Sequence, residues 1–130
     1  MSRVPDKREA YAYVRVSLRE EDPENQRMAI RAWASANGYS VARFFEDVGV
    51  SGAVPPWQRP GFRELLEAVK QAPRPVLIYE LSRLGRTFYE TLEALRQLEE
   101  LGAPVIAVSP KEAFLQSLDP EVRKLVIAIF

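Results

Sequence analysis

Short strand-like runs alternate with helical patterns along the whole chain, and this alternation leaves few folds open. Glu9 to Val16 has a period of two: Ala10, Ala12, Val14 and Val16 share one face, and Tyr11, Tyr13, Arg15 and Ser17 the other. After a charged loop from Leu18 to Asp22, a helix starts at Pro23 or Glu24 with Asp22 as its N-cap. Met28, Ala29, Ala32, Trp33 and Ala36 follow helical spacing, and Asn37-Gly38 ends the pattern. Tyr39 to Phe45 reads as a second strand and Glu46 to Arg59 as a Gly- and Pro-rich loop. Pro60 to Gln71 reads as a helix with a Phe62, Leu65, Leu66, Val69 stripe. Pro75 to Leu81 is a short buried strand. Ser82 is expected to open a third helix carrying Phe88, Leu92, Leu95, Leu98 and Leu101, with Gly102 as its stop. Ala103 to Val108 is a fourth strand. Asp119-Pro120 opens a last helix whose Val122, Leu125, Val126, Ile129 and Phe130 are apolar. The order implies an α/β domain of three layers, with a mainly parallel sheet of four to five strands flanked by helices.

Composition narrows the chemistry. At 130 residues the chain fits one domain, and 47% hydrophobic residues can fill a core. It has 18 basic and 18 acidic residues, so any contact with nucleic acid must be local. Zero Cys excludes disulfides, thiolate zinc sites and thiol catalysis. Zero His removes the commonest metal ligand and general base. No run approaches the roughly 18 apolar residues of a membrane span, and Met1 to Arg8 lacks a signal-peptide core, so a cytoplasmic protein is expected.

In open α/β sheets, ligands bind beyond the carboxyl ends of the strands. Arg15 and Ser17 close the first strand, Glu46 and Asp47 the second, and Ser82, Arg83 and Arg86 follow the third. A hydroxyl among arginines, in a chain without His or Cys, points to a serine acting on a phosphodiester. Each residue also has a plainer reading. Ser17 fits a loop or cap serine, Ser82 a helix N-cap, and Arg83 and Arg86 a solvated face at i, i+3. Arg59 reads most simply as a surface residue and Asp47 to Gly52 as a flexible turn. Arginines in a first helical turn oppose the helix dipole, and a bound phosphate would relieve that conflict.

Five segments taken in order resemble the serine recombinases of the resolvase/invertase group. They are Tyr13-Val14-Arg15-Val16-Ser17, Asn25-Gln26-Arg27, Asp47-Val48-Gly49-Val50-Ser51-Gly52, Arg59-Pro60-Gly61-Phe62 and Leu81-Ser82-Arg83-Leu84-Gly85-Arg86-Thr87. The resemblance implies a resolvase-like catalytic domain with Ser17 as the nucleophile that forms a 5′-phosphoserine link to DNA. Arg15, Arg83 and Arg86 would surround the scissile phosphate. Arg59, Gln26, Ser82 and Asp47 would support it. No metal and no cofactor is implied; double-stranded DNA and further copies of the chain are the implied partners. Fixed guanidiniums can stabilise charge on phosphoryl oxygens bidentately.

Two departures stand out. The family usually has Asp at the position of Ser82, and serine is a poor general acid. The pattern also breaks off in the last helix, so residues 1–130 are expected to be the catalytic domain cut at the start of a long C-terminal helix, without the DNA-binding domain. Two other readings compete: a non-catalytic pairing module, and a binder of nucleotides or phosphate. The second lacks a Gly-rich phosphate loop or a Walker lysine.

Overall fold

The computed structural model describes residues 7–17, 22–112 and 119–129. Strand β1 (Arg8–Val16) is central because both its faces are apolar. The small face of Ala10, Ala12 and Val14 lies under helix α1 (Pro23–Ala36), against Ile30 and Ala34. The large face of Tyr11 and Tyr13 packs on Phe45, on Phe62 and Leu65 of helix α2 (Pro60–Gln71), and on Leu95 and Leu98 of helix α3 (Phe88–Glu100). Tyr11 meets Phe45, and Tyr13 meets Phe62, edge to face. Strands β2 (Tyr39–Val48), β3 (Val76–Ile78) and β4 (Val105–Ala107) complete a 4-stranded sheet in the order β2-β1-β3-β4. Every pairing is parallel, so all carboxyl ends share one edge. Helix α4 (Pro120–Ile129) rests on α3 and sends Val126 to the core.

The expected α/β layering is present, with four strands among the described residues. Helix α1 starts where Asp22 accepts from the Glu24 N–H and ends at Asn37, with Gly38 at φ +79°. Helix α2 has the predicted bounds. Four elements differ. β2 runs on to Val48 because β1 pairs with it to the last residue, Val16 against Val48. β3 and β4 are shorter than expected, three residues each. Ser82 does not open α3: Leu81–Arg83 form a 3-10 turn, and Thr87 caps α3 by accepting from the Glu90 N–H at 3.1 Å. Gly85 permits this arrangement: a Cβ there would lie 2.6 Å from the Thr91 nitrogen, and its carbonyl accepts from the Thr91 hydroxyl at 3.3 Å, so the segment before α3 packs against that helix's first turn. Thr87 followed three residues later by Glu90 carries the helix-start signature that the apolar pattern overrode. Leu18 to Glu21 and Phe130 lie outside the described residues.

Helix α2 has no side-chain cap of its own at Arg59. Asp47 of β2 supplies one instead, accepting from the N–H groups of Gly61 (2.8 Å) and Phe62 (3.1 Å). Only glycine fits at 61, since a Cβ there would sit 2.5 Å from the Glu46 carbonyl oxygen. Gly61→Ala is therefore expected to destabilise the domain by about 1–3 kcal/mol. Urea unfolding checks this, and an unchanged midpoint would contradict it.

Candidate functional site

At the common carboxyl edge, β1 ends under the β2–α2 loop. The Val16 carbonyl accepts from Gly49 N–H (2.8 Å) and Val50 N–H (3.2 Å), which fixes half-buried Ser17 beside that loop. Arg15 is 4% exposed. Its Nη1 donates to the Val50 carbonyl at 3.1 Å and its Nη2 approaches the Ser82 carbonyl at 3.5 Å. Gly52 lies over this guanidinium, where a Cβ would be 3.3 Å from Nη2. The Arg15 carbonyl in turn accepts from Gln26 Nε2 of α1 (3.0 Å) and from Arg83 Nη1 (3.3 Å). Residues distant in sequence thus converge on the two peptide groups before Ser17. Gln26 is buried, and its Oε1 has no hydrogen-bond partner among the described residues.

A buried polar chain stands behind this edge. Arg59 is fully buried, not a surface residue. Its Nε donates to the Val54 carbonyl (2.9 Å), and its Nη1 donates to the Arg83 carbonyl (2.7 Å) and to the Tyr13 hydroxyl (3.3 Å). The Tyr13 hydroxyl donates to Asp47 Oδ2 at 2.7 Å. Asp47 is correspondingly a buried strand residue paired with Arg15 in register, and not part of a flexible turn. Arg59 and Asp47 place opposite charges in the core with Tyr13 between them, so neither charge is left uncompensated. Burial raises the Tyr13 hydroxyl above its ordinary value, which keeps it a donor; the Arg59 charge opposes that shift and Asp47 adds to it.

The remaining predicted residues spread around the strand ends. Ser82 is exposed, and its hydroxyl donates to Glu80 Oε1 at 3.0 Å. Arg83 is 9% exposed and pairs with Glu80 at 3.1 Å. Arg86 lies in the segment between the 3-10 turn and α3 and is exposed. Since neither Arg83 nor Arg86 stands in the first turn of an α-helix, the conflict with the helix dipole does not arise. Glu46 turns away from the cluster and pairs with Arg27 of α1, which also holds Glu24; these carboxylates raise the Arg27 guanidinium above its ordinary value.

Sequence reasoning missed Tyr13, Glu80 and Glu112. Tyr13 looks like core filler, and Glu80 has no periodic pattern around it. Glu112 sits in the turn after β4, where its Oε1 accepts from the Leu81 N–H at 2.8 Å. Its place beside the 3-10 turn depends on the sheet order. Together, the described contacts bring Arg15, Gln26 and Arg83 to the end of β1, one and two residues before the half-buried Ser17.

The family described as "Resolvase, N terminal domain" matches residues 10–130, and the chain belongs to it. The Tn2501 transposon resolvase of Escherichia coli is 35% identical over 90 residues, 68% of this chain and 43% of that protein. The chain therefore spans less than half the length of this curated relative. Among solved structures, the N-terminal catalytic domain of TP901-1 integrase superposes with a TM-score of 0.78 at 23% identity, covering 93% of this chain and 92% of that one. A resolvase-family site-specific recombinase from Streptococcus pneumoniae gives 0.74 at 24% identity, covering 95% and 85%. The C-terminal catalytic domain of ISC1926 TnpA, an IS607-like serine recombinase, gives 0.68 at 27% identity, covering 93% and 78%.

Two outcomes follow from the geometry. Tyr13→Phe removes the hydroxyl between Asp47 and Arg59 and is expected to cost on the order of 1–3 kcal/mol in urea unfolding; a stability equal to the parent's would contradict the coupling. Burial, with the Glu80 charge adding, raises the Glu112 carboxyl above its ordinary range. The folded chain then holds this proton after the unfolded chain has released it. Stability from this group is present below the unfolded value of about 4.3 and declines as pH rises through the folded value. Glu112→Gln should remove that part of the decline, as read by unfolding midpoints across the acidic range. A decline of the same size in the variant would contradict it.

Proposed function

We propose that this chain is the catalytic domain of a serine site-specific DNA recombinase. The observation that carries the reading is the convergence of Arg83 and Gln26 on the carbonyl of Arg15, two residues before Ser17, with the Arg15 guanidinium itself held under the β2–α2 loop. Ser17 Oγ attacks a backbone phosphorus of double-stranded DNA. The P–O3′ bond breaks, the serine proton is released, and a proton is taken up by the departing O3′. The 5′ phosphate stays on Ser17 as a phosphoserine ester. Attack by a 3′-hydroxyl on this ester reverses the step and joins strands, so no outside energy source is consumed.

Arg15, Arg83 and Arg86 are the groups for the phosphate oxygens, where charge builds up during transfer. Clustered positive charge also favours the ionised form of the serine hydroxyl. Arg59, Gln26 and Asp47 support them by fixing the strand end and the Arg83 backbone, and Ser82 lies at the rim. Recombination of this kind brings several copies together. Exposed Phe88, Tyr89, Val122 and Leu125, the last 68% exposed, support self-association along α3 and α4. Targeting to a DNA site is assigned to sequence outside this domain, which agrees with a net charge of zero. Among the described residues no helix is long and apolar enough to cross a membrane. A cytoplasmic location suits a protein acting on DNA.

The test uses the protein at its full natural length with target-site DNA. On a denaturing gel, the parent should remain attached to 5′ ends, while Ser17→Ala should bind DNA and leave no adduct. Arg15→Ala and Arg83→Ala should slow cleavage by about 100-fold or more. An adduct that persists in Ser17→Ala, or attachment to 3′ ends, would refute the assignment.

A further inference from the structure

The chemistry set out above leaves one carboxylate unused inside the arginine cluster. Glu80 follows β3 at the sheet's carboxyl edge. Its Oε1 accepts from Arg83 Nη2 at 3.1 Å and from the Ser82 hydroxyl at 3.0 Å. Arg83 reaches through Nη1 to the Arg15 carbonyl at 3.3 Å. The guanidinium is thus stretched between the strand end that carries Ser17 and the Glu80 carboxylate. The pair is largely enclosed, with side-chain exposures of 11% for Arg83 and 30% for Glu80. The turn beneath it is pinned from two sides: Arg59 donates to the Arg83 carbonyl, and Glu112 accepts from the Leu81 N–H.

We propose that Glu80 is a positioning residue of the cleavage site, holding the Arg83 guanidinium and the Ser82 hydroxyl in the orientation in which they meet the scissile phosphate. This rests on the recombinase reading of Ser17. Arginine has a long side chain with many rotamers, and a substrate that must order it loses binding energy in doing so. A carboxylate that fixes the fork beforehand removes that loss and gives the chemical step an aligned donor. Its charge also offsets the mutual repulsion of Arg15, Arg83 and Arg86 at the strand ends before DNA arrives. Ser82 carries no charge of its own, so the negative charge beside Arg83 comes from two residues earlier in the chain.

Glu80→Gln keeps the shape and removes the charge. In the protein at full natural length, this variant should cleave target DNA about tenfold or more slowly at saturating DNA, with its thermal midpoint retained. Residue 82 lies within hydrogen-bond reach of the Glu80 carboxylate, so adding Ser82→Asp to Glu80→Gln returns a negative charge beside Arg83 and should recover most of the rate. Cleavage by Glu80→Gln within about twofold of the parent, or faster than it, overturns the proposal. So does a double variant as slow as Glu80→Gln alone. Nitrogen NMR of the Arg83 guanidinium, in the chain without DNA, judges the contact apart from cleavage. Hindered rotation should be present in the parent and lost in Glu80→Ala, and equal signals in both overturn the proposal. A parent protein that forms no Ser17 adduct overturns the recombinase reading instead, and the guanidinium signals still decide the contact.

Discussion

The buried chain Asp47–Tyr13–Arg59 is the interaction on which the rest depends. It joins β2, β1 and the start of α2, and through the Arg83 carbonyl it reaches the turn after β3. Charges are rarely placed in a core, because removing them from water is costly unless they are paired and hydrogen-bonded. Here the cost is offset by a geometry with several contacts on each ion. The Asp47 carboxylate caps α2 and receives the Tyr13 hydroxyl, and the Arg59 guanidinium ties together Tyr13 and two backbone carbonyls. Four separate stretches of chain are fixed relative to one another before any substrate is present.

That fixed frame explains how a domain with balanced charge can hold two buried guanidiniums at the carboxyl edge of its sheet. The arginines are not a diffuse basic patch. Arg15 and Arg83 are both buried: Arg15 ties the end of β1 to the Val50 and Ser82 carbonyls, and Arg83 donates to the Arg15 carbonyl. Parallel strands place their carboxyl ends on one edge, so a short motif at each end suffices to assemble the site. The carboxylates nearby have distinct tasks. Glu46 binds Arg27 and anchors α1, Glu112 holds the turn, and Glu80 meets Arg83.

Much of this was legible in the residues. The period of two from Glu9 to Val16 gave β1 and its two faces, because strict alternation of side-chain size maps directly onto the pleat. Asp22-Pro23 and Asn37-Gly38 bounded α1 for local reasons of capping. Ser82 misled, since an N-cap serine before an apolar stripe looks like a helix start, and the tight packing of Gly85 against Thr91 is a tertiary fact. Arg59 and Asp47 looked like surface and turn residues because their burial comes from partners 46 and 34 residues away in sequence. Tyr13 could not be told from an ordinary core aromatic, as its hydroxyl contacts depend on the register of β1 with β2. The resemblance supplied the site residues as a set; that Asp47 and Arg59 belong to the buried frame with Tyr13 emerged only from the geometry.

The central claim is that the arginine cluster is preformed around Ser17 and receives the phosphate without rearranging. A crystal structure of the protein trapped on cleaved target DNA tests it most directly. The account predicts a covalent bond from Ser17 Oγ to the 5′ phosphorus, with Arg15 and Arg83 guanidiniums within hydrogen-bond distance of its free oxygens. The Asp47–Tyr13–Arg59 chain should be unchanged. A phosphate held away from Arg15 and Arg83, or a broken Tyr13–Asp47 contact in the trapped state, would contradict it.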